Sequence, residues 1–266
     1  MVDLRLTTSE MASFVTQGTV RCDEIVPPEL CARVLEEMKG GAYGGDIFKN
    51  TGELLTEQWP GSGMQAVLQV PKVRAVLESL VGPDPRYDHH AVHLSPAGNL
   101  RGQDIHQDAE YDVRRTAFDI QASFFFHDVT AAMGGTLFLP GSHYRRVRVS
   151  AIGRYQNIVG QEQTVCKAGT VVFWHHNLWH CGRGNNTDQT RYMFKLRVNA
   201  RVKQERLFNY TELPVAELRK IFEVRHPFSG NDERTETLNR IRLWRYLTGD
   251  ASWDCTSWWS RIENEL

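Results

Sequence analysis

Between about residue 86 and residue 203 the chain is a series of short apolar or alternating runs, each cut off by glycine, proline or asparagine. The runs are His90–Leu94, Ile120–His127, Thr136–Leu139, Gln163–Cys166, Thr170–Trp174 and Arg191–Val202. A repeat of two residues sends neighbouring side chains to opposite faces, so such runs suit strands rather than helices. Strands of this length and spacing predict an antiparallel sandwich or barrel.

On both sides of that region the rhythm is helical. Thr7 followed by Glu10 reads as a capping box, with Leu6 and Met11 as a hydrophobic staple, and predicts a helix to about Gln17. Pro27-Pro28-Glu29 opens a second helix, with Leu30, Val34 and Met38 on one stripe and Gly40-Gly41 as the stop. One further helix is expected over Val67–Leu80 before Gly82-Pro83, and two more over Val215–Phe222 and Glu236–Leu247. Trp253, Trp258 and Trp259 are expected to pack against the β core. The prediction is one domain over 1–266, mainly β with flanking helices: helical 1–82, a β core over 86–203 and a helical extension over 214–266.

The 31 basic and 32 acidic residues nearly cancel, so no global field would hold a polyanion or an anionic membrane. Neither nucleic acid nor membrane is an expected partner. The groups Arg145, Arg146, Arg148 and Arg197, Arg201, Lys203, Arg206 read as solvated faces, though the first could also meet an anionic substrate. Cysteines at 22, 31, 166, 181 and 255 form an odd, scattered set without a C-x-x-C pair, which argues against a structural zinc site or a disulfide framework. The charged N-terminus and the lack of a long apolar run predict a cytoplasmic protein; a small-molecule substrate and a monomer or homodimer are the expected partners and assembly.

His106-Gln107-Asp108 is the sharpest chemical feature, because side chains at i and i+2 of a strand leave one face and can grip one ion. The strand of Gly169–Trp174 and the turn after it deliver His180 about seventy residues later. Two imidazoles and one carboxylate make the facial triad of non-haem Fe(II) oxygenases, with positions open for cosubstrate and O2. Zinc in a hydrolase could use the same donors. Arg191, at the start of a strand, separates the two: its planar fork suits the distal carboxylate of 2-oxoglutarate, and a hydrolase needs no such group.

With those residues in view, the sequence resembles the phytanoyl-CoA dioxygenase family of Fe(II)/2-oxoglutarate oxygenases. Asp104-Ile-His-Gln-Asp108 is similar to the family's first metal motif, and Gly134-Gly-Thr-Leu-Phe-Leu-Pro-Gly-Ser-His143 to its turn signature. His180 with Asn185-Asn-Thr-Asp-Gln-Thr-Arg191 is similar to its distal ligand and arginine, and Leu6–Met38 to its opening. The resemblance implies a double-stranded β-helix, a jelly roll, and an enzyme using Fe(II), 2-oxoglutarate and O2 to oxidise a small molecule with release of succinate and CO2. Metal-dependent hydrolysis and a non-catalytic jelly-roll binding protein are the alternatives. Two positions differ from the family: Val92-His-Leu-Ser-Pro96 lacks its lysine, and Gly182 stands where a serine is common.

Gln121 and Ser123 share a strand face and are candidate contacts for cosubstrate or substrate. Trp174, Trp179 and Phe194 are candidate wall residues, as are His93 and His127. His143, in a Pro-Gly turn, is expected to be structural, and His175 and His176 to be packed or solvent-facing rather than ligands. The loop over Ala42–Met64 is a candidate lid.

Overall fold

In the computed structural model, residues 3–44, 49–50, 59–109, 114–145 and 157–256 are described. Helix α1 (Thr8–Gln17) starts as the sequence predicts. The Thr7 hydroxyl accepts from Glu10 N at 3.3 Å, and the Glu10 carboxylate accepts from Thr7 N at 2.7 Å. α1 ends on Gly18, whose φ of 77° is open to glycine without strain. Strand β1 (Thr19–Cys22) and helix α2 (Pro28–Lys39) follow, the latter with proline in its first turn.

The single helix expected over Val67–Leu80 is two: α3 (Gly63–Leu68) and α4 (Pro71–Val81). Pro71 is the reason. A residue before proline is pushed out of the α region, and Val70 sits at φ −59°, ψ 125°, so the helix restarts with proline at its N-terminus. Near the C-terminus come α5 (Val215–Phe222) and α6 (Glu233–Thr248). No helix among the described residues is long and apolar enough to cross a membrane.

The strands are the short β2 (Lys49–Asn50), β3 (Arg86–Ser95), β4 (Ile120–Phe125), β5 (Thr136–Phe138), β6 (Glu162–Gln163), β7 (Thr170–His175), β8 (His180–Gly182) and β9 (Arg191–Asn199). They form two antiparallel sheets, one ordered β1-β7-β4-β9-β3-β2 and a smaller one ordered β6-β5-β8. This is the jelly-roll core with flanking helices that the resemblance implies, except that β1 and β2 of the large sheet come from the stretch 1–82 expected to be helical.

Alternation on the large sheet decides what goes where. Ile120, Ala122 and Phe124 of β4, Phe173 of β7, and Phe194, Leu196 and Val198 of β9 join Leu6, Phe14, Val76 and Trp244 in one apolar cluster, so this face of the sheet carries the helices. The opposite face looks toward the small sheet, where Phe125, Val172, Trp174 and Met193 meet Met133 and Phe138. With both faces covered, every residue of β4 and β7 is buried. Trp253 packs edge-on against Phe222 at 5.3 Å, whereas Trp258 and Trp259 lie outside the described residues.

The candidate lid is anchored at both described ends. Tyr43 is buried, Trp59 meets it edge-on at 4.8 Å, and both meet the Phe194 ring, at 5.3 and 5.5 Å. The remainder, 45–48 and 51–58, lies outside the described residues apart from β2. Arg146 and Arg148 lie outside them too. Because Phe194 joins sheet, helices and these loop ends, Phe194→Ala should destabilise the protein by about 3–5 kcal/mol, read as a lower midpoint in urea unfolding with the slope unchanged.

Candidate metal centre

The expected strand around His106 is an isolated bridge instead. His106 N donates to His180 O, and His180 N to His106 O, each at 2.9 Å. β8 is itself fixed to β5, with His180 opposite Phe138. The bridge therefore continues the small sheet by one pair and sets the two imidazoles side by side, with ring centroids 4.3 Å apart.

Each ring is oriented by its own backbone. His106 Nδ1 lies 2.7 Å from Asp104 O and His180 Nδ1 lies 3.0 Å from Leu178 O, the geometry of an Nδ1–H donor. That leaves each Nε2 with a free lone pair, the form a metal requires. Asp108 faces both: its Oδ1 is 3.7 Å from His106 Nε2 and its Oδ2 is 3.5 Å from His180 Nε2. Among the described residues, His106, Asp108 and His180 are the one group whose donor atoms, all within 4.8 Å of one another, could hold a metal ion.

Burial works to raise the pKa of Asp108, but His180, Lys195, His106 and a hydrogen bond from Gln121 together hold it well below the ordinary carboxylate range. Burial pushes His180 down to about 3, so its imidazole is neutral near pH 7. An ionised carboxylate and a neutral imidazole are the species that ligate.

These residues open into a cavity of about 370 Å³, lined also by Arg191, Met193, Lys195, Ser123, Trp174 and His93. Arg191 is buried, and its Nη1 donates to Met133 O (2.6 Å), Gly135 O (3.3 Å) and Arg183 O (3.2 Å). Burial alone pulls its pKa down, and no carboxylate among the described residues lies within ion-pair reach of it. A buried guanidinium without an acid partner is a site prepared for an anion. The Gly134-Gly135 turn makes this possible: at φ 88° and 53°, a Cβ on either would strike the carbonyl of Gly184 or Thr164. Glycines there let the backbone close over the Arg191 side chain.

The remaining candidates divide by strand parity. Gln121 Nε2 donates to Asp108 Oδ2 and lies 3.2 Å from His176 Nδ1. Ser123 Oγ accepts from Trp174 Nε1 at 3.2 Å, and both line the cavity. His93 lines it as well, with its pKa pushed by burial to about 3. His127 does not: its Nε2 accepts from Tyr192 N at 2.9 Å. Two further candidate wall residues do not line it either. Phe194, one residue out of step with Met193 and Lys195, faces the helices, and Trp179 packs with Ile105, Leu137, Leu139 and Cys181. His143 is structural as expected, buried with Nε2 3.2 Å from Val15 O; His175 and His176 are buried too.

Lys195 is the residue the sequence reading passed over. It stands four residues beyond Arg191 on the same face of β9, and its Nζ lies 3.1 Å from Asp108 Oδ2. Its signal was the alternation Arg191, Met193, Lys195, Arg197 against Phe194, Leu196, Val198: a buried strand with a polar inner face.

The family model described as phytanoyl-CoA dioxygenase (PhyH) matches residues 49–193. No curated protein sequence matches the chain. Among solved structures, the non-heme alpha-ketoglutarate-dependent epimerase SnoN from nogalamycin biosynthesis is 19% identical at a TM-score of 0.58, over 72% of this chain and 80% of that one. EctD from S. alaskensis, solved with 2-oxoglutarate and 5-hydroxyectoine, is 19% identical at 0.55, over 73% and 76%. HygX from Streptomyces hygroscopicus, solved with nickel and 2-oxoglutarate, is 14% identical at 0.60, over 74% and 87%. At these identities the likeness is one of fold.

Proposed function

The chain belongs to the phytanoyl-CoA dioxygenase family, whose model covers more than half of it, and from that premise we propose how its own residues serve an Fe(II)- and 2-oxoglutarate-dependent oxidation of a small organic metabolite. His106, Asp108 and His180 hold the iron, and Arg191 holds the distal carboxylate of 2-oxoglutarate. One observation carries this reading: a cavity that joins two oriented imidazoles and an ionised carboxylate to a buried arginine with no acid partner among the described residues.

The donor set fits the metal. Two imidazole nitrogens and one carboxylate on one side of an ion would leave its other side to cosubstrate and O2. When bound, the iron supplies the oxidising chemistry, in which O2 and 2-oxoglutarate give succinate, CO2 and an oxidised substrate. The protein's share is position and exclusion of water. The Asp104 and Leu178 carbonyls keep the imidazoles turned inward. The Met133, Gly135 and Arg183 carbonyls grip one nitrogen of Arg191, so the rest of its fork is presented without further ordering. Trp174, Met193 and Leu94 contribute apolar parts of the wall.

Hydroxylation is the outcome we propose as the default. The fold neighbours include an epimerase and a carbocyclase, so the same centre also suits hydrogen abstraction with a different ending. Asp108 in the triad argues against halogenation, which needs that position free for halide.

The test is succinate. Protein purified without air and supplied with Fe(II), 2-oxoglutarate and O2 should release succinate, faster with the right metabolite from a panel of small molecules. Zinc in place of iron should give none. Succinate formation independent of added iron, or none with any panel member, would count against the reading.

A further inference from the structure

Lys195 and Gln121 have a common target. Both donate to Oδ2 of Asp108, the lysine at 3.1 Å, while Oδ1 accepts no hydrogen bond among the described residues. Both come from neighbouring strands of the large sheet, β9 and β4, where Gln121 pairs with Arg197 and Ser123 pairs with Lys195. The Lys195 side chain is only 7% exposed, and its ammonium lies 5.9 Å from the Trp174 ring. Burying an ammonium costs several kcal/mol unless it is paired and hydrogen-bonded. An apolar residue would fill this inner face at lower cost, so its presence needs a reason.

We infer that Lys195 and Gln121 are positioning residues that keep Asp108 a one-oxygen ligand. The inference rests on the triad reading given above. A six-coordinate ion with three protein donors has three positions left. A two-oxygen chelate by 2-oxoglutarate takes two of them and O2 needs the third. Asp108 turning both oxygens to the ion would remove that third position. With Oδ2 engaged by an ammonium and an amide, only Oδ1 has lone pairs to offer, and the site keeps its opening. Charge acts in the same sense, because a cation beside Oδ2 makes that oxygen the poorer place for a second one.

Two consequences distinguish this from general support of the fold. Removing the ammonium should strengthen divalent-ion binding, since a repelling charge is gone and a second oxygen is released. It should also lower the number of waters on the ion. Manganese(II) is the probe, because its effect on water-proton relaxation counts the waters it holds. Mn(II)-loaded native protein without 2-oxoglutarate is expected to hold three.

Lys195→Met and Gln121→Leu should each lower the relaxivity, and the double variant should bring it to about two thirds of the native value, as expected for two waters on a six-coordinate ion. Mn(II) affinity should rise at least severalfold in Lys195→Met. Lys195→Arg, which restores a donor and a charge, should recover most of the native relaxivity. If the double variant does not fold, Gln121→Leu alone must show the fall. Native-like relaxivity in variants that bind Mn(II) overturns the inference, as does weaker Mn(II) binding in Lys195→Met. Native protein that takes up Mn(II) but holds fewer than three waters also overturns it, with the triad reading intact. Native protein that takes up no Mn(II) fails at the earlier step and removes both.

Discussion

Alanine at His106 or at Asp108 is expected to abolish iron retention and with it all 2-oxoglutarate-dependent succinate formation. Three donors within 4.8 Å of one another form the candidate centre, and two of them rarely hold an ion as labile as Fe(II). The two variants differ in what else they disturb. His106→Ala removes one ring beside the cavity, while the backbone bridge to His180 uses no side chain and remains. Asp108→Ala also strips Lys195 and Gln121 of a shared acceptor and leaves a buried ammonium without it. His106→Ala should therefore unfold close to the native temperature and Asp108→Ala below it, both without iron after dialysis. Iron content by absorption spectroscopy, with succinate assays on the same samples, checks both statements. Native activity in either variant would remove the assignment.

The second large effect is expected at Arg191. Hydrogen bonds to charged groups contribute about 1.5–3 kcal/mol, and a carboxylate left unpaired in a buried site costs more. Arg191→Met should then weaken 2-oxoglutarate at least about tenfold, each factor of ten being 1.4 kcal/mol. Lysine should recover only part, because a point charge cannot both reach the Met133, Gly135 and Arg183 carbonyls and present a flat pair of donors. Titration of 2-oxoglutarate into Fe(II)-loaded protein under argon, followed by the charge-transfer absorption of the complex, gives the constant directly. Equal constants in native protein and Arg191→Met would leave Arg191 a structural clamp for the Gly134-Gly135 turn and nothing more.

Much of this was legible in the sequence, and the reasons are local. Capping at Thr7 and Glu10 and proline at the start of α2 act within one helical turn, so a short window contains all that decides them. Most strands over 86–203 were legible because their apolar or alternating runs are, whereas β2 and β8 were not read as strands; the candidate residues His106, Asp108, His180 and Arg191 stand out by residue type and order. What stayed hidden depends on where distant segments meet. Pro71 splits a helix whose apolar rhythm continues across it, and periodicity alone does not register a break of one residue. His106 was expected in a strand and is a single bridge, because its pairing partner arrives from far along the chain. Lys195 reads as one more charged residue on a strand until β4 and the Asp108 carboxylate are brought beside it.

The bridge between His106 and His180 has a consequence for which ion the candidate centre would take. Backbone hydrogen bonds and two carbonyls set the two candidate imidazole ligands. These contacts are made within the protein itself, so on the proposed reading selection among metals falls to the chemistry of the donors. Nitrogen and oxygen donors favour copper, nickel and zinc over iron in the ordinary affinity order. On the proposed reading, a chain carrying one of those ions in place of iron would be folded and yet lack the oxidation proposed above.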